Sequence, residues 1–124
     1  MKYRPSILVA VCLVVGLFAS PIAKAYFQSG NAIYEKCLDS AGNMDKFFCM
    51  GYITGVADAV LSINRMGMKY GGYMSCPPPA EGMSLRQALD VAKSYLKKRA
   101  DIRHFSASTL IAESFAVAWP CPKK

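Results

Sequence analysis

Phe47-Phe48-Cys49-Met50-Gly51-Tyr52-Ile53-Thr54-Gly55-Val56-Ala57-Asp58-Ala59 is apolar around most of a helical circumference. At 3.6 residues per turn, Cys49, Ile53, Val56, Val60 and Ile63 fall on one stripe, and Phe48, Tyr52, Gly55 and Ala59 on the next. Such a helix is expected to be buried by its neighbours rather than to lie on a surface. Gly51, Gly55 and Ala59, spaced four apart, leave a smooth groove where another helix can approach closely. Glycine in a helix interior costs about 0.5–1 kcal/mol relative to alanine, so two of them point to a packing role. Asp58, the one charge in the span, reads as a buried carboxylate held by helix N-termini or by Tyr and Ser hydroxyls. The segment is the predicted central helix of a small domain.

The 124-residue chain opens with the features of a signal peptide. Lys2 and Arg4 form a positive start, and Ile7 to Ala19 is an uncharged apolar run. Ala23-Lys24-Ala25 supplies small residues for cleavage after Ala25. The run is shorter than the ~20 residues a membrane-spanning helix needs, and Cys12 lies inside it rather than after a cleavage site, which argues against a lipoprotein. The chain therefore divides into a leader, 1–25, and one mature domain, 26–124, located in the periplasm. Without Lys2, Arg4 and Lys24 the formal charge falls from +7 to +4. No dense basic stripe interleaved with aromatics remains, so nucleic acid is not the expected ligand. In the central helix, Asp58, Asn64 and Arg65 argue against a membrane span after cleavage.

The mature chain has four cysteines, Cys37, Cys49, Cys76 and Cys121. In an exported chain of this size they read as two disulfides, which a small core needs as staples. Cys37 and Cys49 flank a short turn between two helices, which favours that pair and leaves Cys76 for Cys121; the other two connectivities stay open. There is no Cys-x-x-Cys, and the single histidine, His104, is far in sequence from any cysteine, so no metal site is expected.

A first helix is expected from a cap at Ser29 or Asn31 to about Ser40, with Ile33, Tyr34, Cys37 and Leu38 inward. Asn43 or Asp45 caps the central helix, which ends near Met66 with Gly67 beyond it. An irregular stretch follows, from Gly67 to Gly82, with Gly71-Gly72 and Pro77-Pro78-Pro79. Ser84 and Gln87 form a capping box for a helix to about Arg99, with Leu85, Ala88, Leu89, Ala92, Tyr95 and Leu96 inward. Ser106 opens the last helix, with Leu110, Ile111, Phe115, Ala118 and Trp119 inward. No segment alternates with period two. The fold class is all-α: a small four-helix domain stapled by two disulfides.

Catalytic signals are weak. His104 sits in a linker with Arg103 and Phe105, no Gly-x-Ser-x-Gly occurs, and no phosphate or calcium loop is present. Neither an enzyme nor a cofactor is expected. The exposed irregular segments 69–74 and 97–105 carry residue types that dominate protein interfaces, Tyr70, Tyr73 and Arg103, with His104 beside them. Alanine at Tyr70, Tyr73 or Arg103 is expected to weaken partner binding and leave the thermal midpoint unchanged.

Gly30-Asn31-x-Ile33-Tyr34-x-x-Cys37, Cys49-x-Gly51-Tyr52-Ile53-x-Gly55-Val56-x-Asp58, Cys76-x-Pro78, Tyr95-Leu96 and Ala118-Trp119-Pro120-Cys121 follow one another along the mature chain. As an ordered set they resemble the Rap/Tai family of immunity proteins. The chain departs from the family in having Arg99-Ala100-Asp101 where His-Pro is usual. The resemblance implies a periplasmic immunity protein of a type VI secretion system. Its partner would be a peptidoglycan-amidase toxin, and as a homodimer it would wedge a loop over the toxin's Cys-His cleft. The alternative is a general periplasmic binding, chaperone-like or envelope accessory protein of the same fold with no toxin partner.

Overall fold

The computed structural model describes residues 28–78 and 82–123. The expected leader with Cys12, together with Tyr26, Phe27, Pro79, Ala80, Glu81 and Lys124, lies outside the described residues. Four helices follow one another: α1 (Gly30–Lys36), α2 (Asn43–Arg65), α3 (Leu85–Lys98) and α4 (Ala107–Ala118). Each touches the other three. Among the described residues there is no strand, only isolated bridges at Ser29–Ser106, Tyr70–Tyr73 and Ser75–Pro120.

The helix ends follow from local chemistry. Ser29 Oγ accepts from the Ala32 amide and starts α1. This helix ends at Lys36, earlier than its apolar pattern extends, where Cys37 turns the chain toward α2. The N-cap of α2 is Gly42, not Asn43 or Asp45; Asp45 sits in the first turn and pairs with Lys36 at 2.8 Å. At the far end Gly67 takes φ 73°, and the Gly67 and Met68 amides donate to the Asn64 and Ile63 carbonyls. These two bonds close the helix in a Schellman turn. Ser84 and Gln87 form both halves of the expected capping box. Ser106 occupies the N-cap position of α4 without a side-chain bond to the helix.

The core is built from Ile33, Ile53, Val60, Leu96, Ile111 and Phe115, all essentially inaccessible, with Ala57, Ala88, Ala92, Ala107 and Ala112 where helices approach closely. The two disulfides are Cys37–Cys49 and Cys76–Cys121. The first is buried under α1 and α2; the second ties the loop after α2 to the chain end. Asn64 fastens the same loop. In the amide orientation that satisfies both its ends, it donates to the Met68 carbonyl and accepts from the Ser75 amide and hydroxyl.

Several residues expected inside are outside. Leu85, Leu38 and Ala118 are exposed. On α2 the stripe of Cys49, Ile53, Val56 and Val60 is buried, but Phe48, Gly51 and Gly55 are exposed and Tyr52 and Ala59 are half-buried. An ideal Cβ at Gly51 or Gly55 would meet nothing within 4 Å, so no other helix of this chain fills the expected groove. Asp58 is exposed and is not the buried carboxylate of the sequence reading. By length and composition α2 could cross a membrane, yet it supplies Cys49, Ile53, Val56, Ala57 and Val60 to the core of this domain.

Candidate partner-binding face

Tyr70 and Tyr73 are joined by a two-residue turn whose glycines, Gly71 and Gly72, have φ of 56° and 89°. Each tyrosine amide donates to the other's carbonyl at 2.9 Å. Two successive positive φ angles make this the turn that glycine pairs supply to tight hairpins. The tip rests on α4: a Cβ at Gly71 would stand 3.3 Å from the Thr109 methyl. Both rings are half-buried against the core, leaving part of each to solvent.

Other polar aromatic groups gather beside the turn. Tyr52 of α2 is pushed up from the ordinary phenol range by burial and by neighbouring Tyr70, against a hydrogen bond with Ser108. Tyr73 and Tyr95 both face the Glu113 carboxylate. Burial first, and then this carboxylate, raise both phenols, Tyr95 to about 12. Arg99 donates to the Tyr95 hydroxyl at 3.3 Å and lies over its ring at 5.7 Å. It also makes two bonds to the Asp101 carboxylate, 3.1 and 3.2 Å, which hold that carboxyl below its usual range. The result is a half-exposed cluster of four tyrosines, one arginine and two carboxylates drawn from the turn, the middle of α2, the C-terminal end of α3 with the residues just after it, and the middle of α4. Aromatic rings with polar tips and a forked guanidinium suit recognition of another protein better than bond-making chemistry.

Of the four contact residues named from sequence, Tyr70 and Tyr73 belong to this cluster. Arg103 and His104 do not touch them among the described contacts. Arg103 turns back onto α1, its guanidinium 3.9 Å from the Tyr34 ring centre, with Nε buried and unbonded. His104 is exposed and its ring centre is 4.1 Å from that of Phe105, itself exposed. The cluster adds Tyr95, Arg99 and Glu113, which sequence reading passed over. Periodicity alone points Tyr95 inward, and the Tyr95–Arg99 spacing of one helical turn is the sequence signal for their pairing.

A second concavity, about 590 Å³, lies over the Cys37–Cys49 disulfide between α2 and α3. Leu38, Met50, Leu85 and Leu89 form its apolar floor and Asp39, Lys46, Arg86 and Lys93 its rim. Among the described residues no group of three or more His, Cys, Asp or Glu is placed to hold a metal ion.

A family model, Rap1a immunity proteins, matches residues 29–121, from the cap of α1 to the last disulfide. The chain belongs to the Rap1a immunity protein family. Neither curated proteins nor solved structures provide a match. The matched span takes in the whole helical domain, both disulfides and the tyrosine turn, so membership makes the chain a toxin immunity protein of an all-α, doubly disulfide-bonded type. The family is generally non-catalytic, in keeping with a site built from binding rather than reacting groups.

Proposed function

We propose that the mature Rap1a-family chain, 26–124, acts in the periplasm as a stoichiometric inhibitor of a peptidoglycan-amidase toxin delivered by type VI secretion. The family match over residues 29–121 carries this reading. Two disulfides in a chain with a leader-like N-terminus suit an oxidising compartment. The protein works as a homodimer, and each copy presents Tyr70 and Tyr73, flanked by Arg99, to the toxin. Arg103 and His104 form a second contact on the neighbouring linker. A tight glycine turn is preorganised, so little ordering opposes its insertion into a cleft.

The decisive experiment titrates oxidised 26–124 into peptidoglycan-amidase toxins, beginning with any encoded beside it, and follows muropeptide cleavage. Inhibition saturating near one inhibitor per toxin supports the reading. A folded, disulfide-bonded chain that leaves every such toxin active overturns it, and the chain then falls to the binding-module alternative. A Tyr73→Ala, His104→Ala double variant that still inhibits normally sinks the assignment of the contact residues alone.

A further inference from the structure

We propose that the Cys76–Cys121 disulfide is a redox latch on the tyrosine turn. The oxidised chain holds Tyr70 and Tyr73 in place, and a dithiol reductant that opens the bridge switches the inhibitor off while the four helices stay folded. This rests on the reading of the turn as the element that meets the toxin, and adds to it the control of that element.

The bridge joins two segments that belong to no helix. One lies between α2 and α3 and carries the turn; the other is the chain end after α4. The chain end has a fixed point in Trp119, half-buried against the core with its ring centre 5.9 Å from that of Phe115. The Cys76 amide donates to the Trp119 carbonyl at 2.8 Å, Ser75 pairs with Pro120, and the disulfide closes the joint. Cys76 follows Tyr73 by three residues, so this joint sets where the turn sits on α4. The other restraints on the segment are hydrogen bonds, chiefly those of Asn64, and the half-buried faces of the two rings. Single neutral hydrogen bonds add little net stability against the chain freedom they restrain.

The other disulfide does not serve this way. Cys37 and Cys49 are part of the core, 5% and 4% exposed, whereas neither Cys76 nor Cys121 belongs to it. Cys76 is exposed, so a thiolate has access to its Sγ. The first thiolate of the reductant bonds to that sulfur as the Cys76–Cys121 bond breaks, and Cys121 leaves as a thiolate. The second thiol of the reductant then displaces Cys76. Two electrons and two protons pass to the cysteines, and the reductant ends as a disulfide. Reversal needs a disulfide oxidant. The chain is silent while its cysteines are reduced and inhibits once they are oxidised after export. A turn seated in about a tenth of the molecules weakens apparent binding about tenfold.

Two forms of 26–124 test this: a Cys76→Ser, Cys121→Ser double variant, and the wild type under graded dithiothreitol, with alkylation to mark which cysteines have opened. Each is followed by circular dichroism, by hydrogen exchange of the Tyr70 and Tyr73 amides, and by toxin inhibition. With the bridge open and Cys37–Cys49 intact, the helical spectrum should stay unchanged. The two amides should exchange about tenfold faster and inhibition should weaken about tenfold, and reoxidation of the wild type should restore both. Unchanged exchange overturns the latch and spares the toxin reading. Faster exchange with normal inhibition overturns the bridge as a control of inhibition. Helices lost in the wild type as Cys76–Cys121 opens make it a staple of the whole domain and overturn the proposal. Where the oxidised wild type inhibits no toxin, the functional reading fails by itself, and the exchange rates still decide whether the bridge governs the turn.

Discussion

The guanidinium of Arg103 lies 3.9 Å from the centre of the Tyr34 ring, with its Nε buried and unbonded. The Arg103 carbonyl meanwhile accepts from the Asn31 amide at 2.7 Å. The residue is thus part of the joint between α1 and the α3–α4 linker as well as a candidate contact. A desolvated cation–π pair contributes about 1–2 kcal/mol. Arg103→Ala should therefore lower stability to urea by about that much, contrary to the unchanged midpoint expected from sequence. Tyr34→Ala should lose the same coupling in a double-mutant cycle; additive losses would show that the stack contributes nothing.

Gly30 and Gly51 should respond in opposite directions to alanine. A Cβ at Gly30 would stand 2.6 Å from Leu110 Cδ1 and 2.8 Å from the Arg103 carbonyl oxygen. Gly30→Ala forces α1 off the linker and should destabilise by about 2–3 kcal/mol. At Gly51 a Cβ meets nothing within 4 Å of its own chain. In dilute solution, Gly51→Ala should stabilise by about 0.5–1 kcal/mol through helix propensity alone. Chemical denaturation of the two variants checks both signs.

The two disulfides differ in span and in access. Cys76–Cys121 bridges a sequence separation of 45 and Cys37–Cys49 one of 12. On the chain-entropy model they contribute about 4 and about 3 kcal/mol. Cys76 is exposed whereas Cys37 and Cys49 are buried. Under graded thiol reductant, Cys76–Cys121 should open first, and mass spectrometry after alkylation should find Cys76 and Cys121 labelled before the others. Labelling in the reverse order would contradict this assignment.

Tyr95 makes stability depend on alkaline pH. Its phenol is raised from 10.0 to about 12, by burial first and the Glu113 carboxylate next. Above the unfolded pKa the unfolded chain has released a proton that the folded chain retains, so folding is penalised. The contribution is complete below about pH 10 and is lost as pH rises toward 12. Partial solvent exposure screens the effect. Tyr95→Phe should flatten the fall in urea midpoint between pH 9.5 and 11, and a wild-type slope in the variant would exclude Tyr95 as its source.

Much of this protein was fixed locally and could be read directly. The Ser84–Gln87 box, the Gly67 helix stop, the Gly71-Gly72 turn and the stripe from Cys49 to Val60 depend on residues within a few positions of one another. The cysteine pairing was favoured from the short turn between Cys37 and Cys49, with no long-range information needed beyond two antiparallel helices. Family motifs spread over the domain made the immunity reading available as well.

The tertiary structure decided which faces are covered. Periodicity tells which residues share a side of a helix but not whether another element arrives to bury that side. With 23 residues α2 is about 34 Å long, whereas α1, α3 and α4 have 7, 14 and 12 and reach about 10, 21 and 18 Å. Three short helices sheath one side of the long one and leave Phe48, Gly51, Gly55 and Asp58 outside. The same placement drew Tyr95 and Glu113 from separate helices to the tyrosine turn, and set Arg103 against Tyr34. Those meetings join residues far apart in the chain, so only the packing of the helices could reveal them.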